Sequence, residues 1–427
     1  MNKGKVYFGK KMRRDLWLLL ISFVIMVLSG SVICSVINEN DISKKLSLLL
    51  AGMLVPFVVK SFSRINNIKR IIISTISISL FVLISIIIYP YYTSMQALIA
   101  RAVWFVMFFS SVLYLEHIQY SFIEFLYKAT VIISYFSLFM FVAIELFGIE
   151  FPYRVAGNPY LPFWVYWGGF SIFTGHPFNV FGLQFYRLAS IFWEPGIYQI
   201  FLNIALYYCF FYCSQKKRIP LISLIINLLL TFSTTGYCIF VMIVALWISR
   251  NKIFSKYKYL MLIIGGTIAV LLVYFIVLDK KTGAYSGSYN TRISDLIIGL
   301  QIFKQGNILF GIGYNNTGIF EATQGLDRGS SNGLVTWLFT MGLVGIAVVI
   351  FPFIKNIINE TNRDERINKI LFFGMFILFN MSEPIYFAPI MWLLVAQEYA
   401  KKKHINRIVT GCPEGKLNKS DVLNYTG

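Results

Sequence analysis

Arg101, Glu145, Glu194 and Glu383 fall within apolar runs or at their rims, where an ionisable group costs from about 2.5 kcal/mol upward unless it is paired or wet. Glu194 stands in RLASIFWEPGIYQIFLN, with Arg187 one to two turns before it and a proline after it that suits the first turn of a helix. Glu383 repeats the Glu-Pro dipeptide. A carboxylate so placed can take or orient a proton, and it can equally pair with a nearby arginine and fix helix packing. Arg292 offers the complementary chemistry. Residues 291–305, TRISDLIIGLQIFKQ, set Ile293, Leu296, Ile297, Leu300 and Phe303 on one face at helical spacing, with Asn290 or Thr291 as N-cap. This predicts a short amphipathic helix on a membrane surface. Arg292 then occupies its first turn, where free N–H groups and the positive dipole end favour an anion, so guanidinium and helix terminus together form a phosphate-type site. The alternative is an arginine that snorkels to the interface.

The elements that must position these groups follow from composition. Of 427 residues, 57% are hydrophobic and 13% charged, and mean hydropathy is +0.68. A soluble domain carries about 25% charged residues, so an ordinary soluble enzyme is excluded. The net charge of +19 sits in short clusters between apolar runs, as in cytoplasmic loops, and not in a patch suited to nucleic acid. Apolar runs lie near 16–37, 46–60, 71–89, 95–115, 127–148, 189–212, 219–233, 235–250, 258–278, 332–353, 368–381 and 385–400. The segments 219–250 and 368–400 are interrupted only by Ser233-Thr234-Thr235-Gly236 and Ser382-Glu383-Pro384. As single helices of about 32 residues they would overshoot a ~30 Å core by about 18 Å, so each is expected to be a pair of short helices meeting in a polar turn.

Loops assigned to the inside on this threading hold 28 Lys and Arg, against 9 outside. The expectation is an all-α polytopic integral membrane protein of about 12 transmembrane helices, with both termini cytoplasmic. Residues 1–400 form one transmembrane domain, with outward loops 149–188 and 279–331, and 401–427 form a polar, basic cytoplasmic tail. The run from Leu16 lacks a small-x-small cleavage site and is expected to remain as the first span. No internal repeat of the transporter kind is present in the sequence. Cys34, Cys209, Cys213, Cys238 and Cys412 form no CxxC pair, so neither a disulfide framework nor a zinc site is expected.

Loop 149–188 carries 13 aromatic residues between Phe151 and Tyr186. It reads either as an interfacial segment with Trp and Tyr at headgroup level or as a groove for an amphiphilic substrate such as a lipid-linked sugar. His176 lies in it between Gly175 and Pro177. Loop 279–331 holds nine glycines, and Gly311, Gly313 and Gly318 in FGIGYNNTG allow tight turns or close approach to a ligand. No acidic cluster has metal-ligand spacing, so no metal and no cofactor is expected.

RLASIFWEPGIY, TFSTTGY, NTRISDLIIGLQIF leading to ILFGIGYNN, and SSNGLVTWLFTMGLVGI together resemble the bacterial Wzy-type O-antigen and polysaccharide polymerases, within the wider O-antigen ligase-like group, over roughly residues 95–400. The resemblance implies a metal-independent inverting glycosyltransferase of the inner membrane, working on the periplasmic face. It would move a growing glycan from one undecaprenyl diphosphate onto an undecaprenyl-diphosphate-linked repeat unit. It further implies membrane lipids as surroundings, and a chain-length regulator and a flippase as partners.

Loop arginines hold the pyrophosphate in such enzymes, a role carried here onto Arg187 and Arg292, with Arg101, Arg154 and Arg328 as further candidates. Glu194 is the expected base or orienting carboxylate, with Glu321, Asp327 and His176 as rivals. Tyr237, Tyr314 and Asn332, in the matching stretches, are substrate-binding candidates. Two departures stand out. The related ligases often carry a histidine where this chain has Ser331-Asn332, which argues against ligase. The Arg-x(10)-Gly pattern of some polymerases is absent from Arg154 and Arg292. The alternatives are an O-antigen ligase and a flippase or other transporter of the same pathway.

Overall fold

The computed structural model describes residues 3–37, 41–88, 94–158, 161–167, 169–180, 183–213, 218–250, 286–314, 316, 318–324, 330–385 and 388–400. The protein is mostly helical. Its helices are α1 Lys3–Leu28, α2 Ile42–Phe62, α3 Ile65–Ile88, α4 Met95–His117 and α5 Phe122–Phe141, the last prolonged by a π turn, Val142–Leu146. After a sheet come α6 Pro195–Phe211, α7 Arg218–Leu230 and α8 Thr234–Arg250, then α9 Ser286–Gln305, α10 Gly318–Gln324, α11 Gly333–Ile358, α12 Arg363–Ser382 and α13 Pro389–Ala400. Eleven of the twelve apolar runs are occupied by these helices, and the run 258–278 lies outside the described residues. The segments 219–250 and 368–400 are each two helices.

Among the described residues, four helices are long and apolar enough to cross a membrane: Ile42–Phe62, Met95–His117, Phe122–Leu146 and Gly333–Ile358. Their outer surfaces agree with that. Leu48, Leu49, Val55 and Val59 of α2 are exposed, as are Ile73, Ile76 and Ile87 of α3, a surface that water would penalise and lipid tails would not. These features suggest a multi-pass membrane protein. Buried polar side chains join helices in the interior. Tyr198 Oη donates to Asn227 Oδ1 at 3.0 Å, and Asn227 Nδ2 donates to the Ser134 carbonyl at 2.9 Å, tying α6, α7 and α5 together.

The segment 149–188 departs from the all-α expectation. It folds as an antiparallel meander of β1 Tyr153–Asn158, β2 Leu161–Tyr166, β3 Phe170–Val180 and β4 Leu183–Ser190, in that order across the sheet. Alternation divides its aromatic residues. Phe163, Val165 and Phe173 pack on Val32, with Ile33 and Ile37 beside them, while Phe170, Ile172 and Leu188 join the core of the helical bundle. Strands β2 to β4 thus bury side chains on both faces, while β1 leaves Tyr153 and Val155 exposed. β3 is irregular between Phe173 and Phe178, so Thr174, Gly175, His176 and Pro177 form a bulge beside β4.

The glycines of FGIG also find a structural reason. Gly342 interrupts α11 with φ +64° and ψ −168°. The interruption frees backbone groups that must find partners elsewhere. Ile312 N donates to the Phe339 carbonyl at 2.8 Å, and Leu343 N and Val344 N donate to the Ile308 and Leu309 carbonyls, each at 3.0 Å. An added Cβ would lie 2.5 Å from Thr340 at Gly311 and 2.4 Å from the Leu309 carbonyl oxygen at Gly342. The close approach allowed by Gly311 is therefore to α11 and not to a ligand.

Candidate functional site

Arg187 and Glu194 are not presented by one helix. Arg187 lies on β4 opposite Phe173, its guanidinium 5.6 Å from the ring centroid, and Glu194 is the N-cap of α6, with Pro195 at its first position. The four residues between strand and helix are held against the end of α1. Val32 N donates to the Ile191 carbonyl at 3.0 Å, and Trp193 N to the Gly30 carbonyl at 3.1 Å. Arg187 Nε donates to the Thr231 carbonyl at 3.0 Å, in the polar break between α7 and α8.

Arg292 arrives from α9. That helix begins at Ser286, not at Arg292, so neither Asn290 nor Thr291 caps it, and Arg292 lies in its second turn. The helix-terminus part of the expected anion site therefore does not hold. The stripe is as expected in another respect, because Ile293, Leu296, Ile297 and Leu300 are exposed. The opposite face carries Arg292, Asp295 and Gly299 inward. Asp295 is fully buried, and its Oδ2 accepts from Ser331 N at 2.7 Å and Ser331 Oγ at 2.6 Å. At Gly299 an added Cβ would lie 2.1 Å from Val335, so α9 rests directly on α11. Ile302 is buried beside them and joins a small core with Val335 and Phe339 of α11.

These elements meet at Glu383, in the turn that follows α12. Arg292 Nη2 lies 3.5 Å from Glu383 Oε1, with the arginine side chain 36% exposed and the glutamate 4%. The Glu383 carboxyl neighbours that of Glu194 and feels its charge together with those of Arg292 and Arg187. It is seated on α6, since a Cβ added at Gly196 would lie 1.7 Å from Oε1. Burial is the largest influence on Glu383, and with the neighbouring Glu194 it raises the pKa well above the ordinary carboxylate range; Arg292 and Arg187 oppose this without cancelling it. Two guanidinium groups and two carboxyls, one inclined to keep its proton, can bind an oxyanion and accept a proton within one small volume.

Of the sequence-based candidates, Arg187, Arg292 and Glu194 are thus brought together, and Tyr237 joins them. It is buried on α8 near enough to Arg187 to feel its charge, with its hydroxyl on the Leu229 carbonyl. Glu383, expected mainly as a packing residue, belongs to the group. Glu145 does not, because it hydrogen-bonds to the Tyr186 backbone and fastens the end of α5 to β4.

Arg154 is exposed on β1, at the opposite edge of the four-stranded sheet from Arg187 on β4. Asn332 uses its side chain to cap α11, accepting from Val335 N at 3.1 Å. Tyr314 is buried, and its carbonyl accepts from Ser94 N at 3.2 Å at the start of α4. Arg101 lies two turns further along α4, its Nε buried without a hydrogen-bond partner among the described residues. His176 is in the β3 bulge, Glu321 is on α10, and Arg328 and Asp327 lie outside the described residues.

Sequence reasoning missed Asp295 as an inward anchor, although helical spacing places it on the side of α9 away from Ile293, Ile297 and Leu300. Set against protein-family models, curated proteins and solved structures, the chain matches none of them.

Proposed function

We propose that this chain is a bacterial O-antigen or surface polysaccharide polymerase, joining undecaprenyl-diphosphate-linked repeat units by metal-independent inverting glycosyl transfer on the periplasmic face of the inner membrane. On this reading the twelve apolar runs are about twelve spans, both termini are cytoplasmic, and the sheet and α9 face the periplasm. The single observation that carries the reading is the meeting of Arg187, Arg292, Glu194 and Glu383 from three separated parts of the chain.

The chemistry follows from that meeting. Guanidinium groups stabilise the charge that develops on a departing diphosphate, and a carboxylate orients the attacking hydroxyl and takes its proton. The exposed apolar stripe of α9 sets Arg292 at the lipid surface, where a polyprenyl chain would lie while its diphosphate reaches inward. The exposed aromatic residues of the sheet region, Tyr153 and Trp167, offer flat apolar faces to sugar or lipid.

Deletion of the gene tests this reading against its rivals. Loss of polymer with single-repeat-capped core remaining is the expected result. Complete loss of glycan from the core would instead favour a ligase or flippase, and unchanged chain length would exclude polymerase. Cysteine labelling at Asn158 should report exposure on the periplasmic side, and protection there would overturn the threading.

A further inference from the structure

The site holds two carboxyls where one base would serve, and the second is the one tied to a guanidinium. We propose that Glu194 and Glu383 act as one proton-accepting pair in which Glu383 gates Arg292, holding the guanidinium when ionised and releasing it to a diphosphate when protonated. The gating is a property of these residues alone, whereas its place in catalysis rests on the polymerase reading.

Three features of the geometry support it. Glu383 is enclosed and seated on the backbone of α6 at Gly196, so it cannot follow Arg292 outward; the more exposed arginine is the partner able to re-aim. Glu194 caps α6 without using its side chain for the cap, and the Glu383 carboxyl lies against Gly196, two residues further along the same helix start. Two neighbouring carboxyls, one of them enclosed, repel each other when both are ionised, which favours a proton on the pair. The charged groups facing Glu383 are Glu194 ahead of α6, Arg187 on β4 and Arg292 on α9, with Tyr237 of α8 beside Arg187.

The reaction step balances on these groups. The acceptor hydroxyl oxygen bonds to the anomeric carbon. The bond from that carbon to the diphosphate oxygen breaks, and the diphosphate leaves with the electron pair. The hydroxyl proton passes to the ionised member of the pair. The pair loses a negative charge as the diphosphate gains one, so Arg292 exchanges one anionic partner for another.

The test is binding of farnesyl diphosphate to the purified full-length chain from pH 5.5 to 8.5, for wild type, Glu383→Gln and Glu194→Gln, with polymerisation measured alongside. Wild-type affinity should weaken with rising pH relative to Glu383→Gln, by up to about tenfold per pH unit where Glu383 ionises. Glu383→Gln should bind more tightly at pH 8 while turnover falls at least about a hundredfold. Glu194→Gln, which removes a neighbouring negative charge, should keep the pH-dependent binding but shift it to lower pH.

A purely structural Glu383 would leave all three curves parallel, and that result overturns the proposal, as does wild-type turnover in Glu383→Gln. Inorganic pyrophosphate as competitor distinguishes a lipid-borne diphosphate from a free one. Proton-linked binding in a chain that polymerises nothing supports the gate and refutes the polymerase reading. Polymerisation with parallel binding curves refutes the gate alone.

Discussion

The two ends of the helical bundle both gather cations, but they use them differently. At the end away from Glu383, Arg70 Nη2 donates to the Ala400 carbonyl at 2.7 Å, Arg366 Nε to the Glu360 carbonyl at 2.8 Å, and Arg250 to the Asp364 carbonyl and the Asn368 side chain. Lys369 pairs with Glu360 at 2.5 Å, both largely buried. Most of these contacts satisfy carbonyls left open where helices end or turn, or neutralise a buried acid. At the Glu383 end, Arg292 instead faces a carboxyl that neighbours a second carboxyl. Cations of the first kind close the fold. Those of the second kind are held against groups whose charge can change, which is the condition for binding an anion that comes and goes.

Substitutions at the two ends should therefore separate activity from stability. The largest effect is expected from Glu194→Gln, which should lower polymerisation by about 10²–10⁴-fold with unfolding unchanged; near-normal turnover would remove Glu194 from the chemistry. Lys369→Met should do the reverse. It leaves the buried Glu360 without its lysine and should cost about 3–5 kcal/mol in unfolding measurements, while the folded fraction keeps its turnover. A drop in turnover per folded molecule would show that the two ends are coupled.

Arg292→Lys keeps the charge but loses the fork, and should reduce polymerisation about ten- to a hundredfold. Unaltered polymer length would exclude bidentate diphosphate binding as its essential role. The smallest effect concerns pH. The raised pKa of Glu383 means that the folded state binds its proton more tightly than the unfolded chain does. Its stabilisation is thus complete below the unfolded carboxylate value of about 4.3 and is lost as pH rises from there through the folded pKa. Thermal unfolding of wild type against Glu383→Gln across that range should show the decline only in wild type.

Much of the fold was legible because apolar run length and charge placement are local properties. The positions of α2, α4 and α11 follow from them, as does the division of 219–250 and 368–400 at their polar breaks. The sheet was not legible in the number of its aromatic residues; its signal is their alternation, with Phe163 and Val165 on one face and Trp164 on the other. The site was half legible. Ionisable residues at the rims of apolar runs identify themselves by cost, so Glu194 and Glu383 stood out, and Arg292 stood out by its place in an amphipathic stretch. Which of them would meet was a matter of tertiary packing: Glu383 reaches Glu194 only because the turn after α12 returns against Gly196, where the lack of a side chain leaves room.

The central claim is that Arg187, Arg292, Glu194 and Glu383 form one place where a diphosphate departs as a hydroxyl attacks. Its most direct test is polymerisation of a defined undecaprenyl-diphosphate-linked repeat by the purified chain, with and without a metal chelator. Wild type should yield polymer and undecaprenyl diphosphate in both conditions, and Glu194→Gln should yield neither. Absence of polymer from wild type, or equal polymer from Glu194→Gln, would contradict the account.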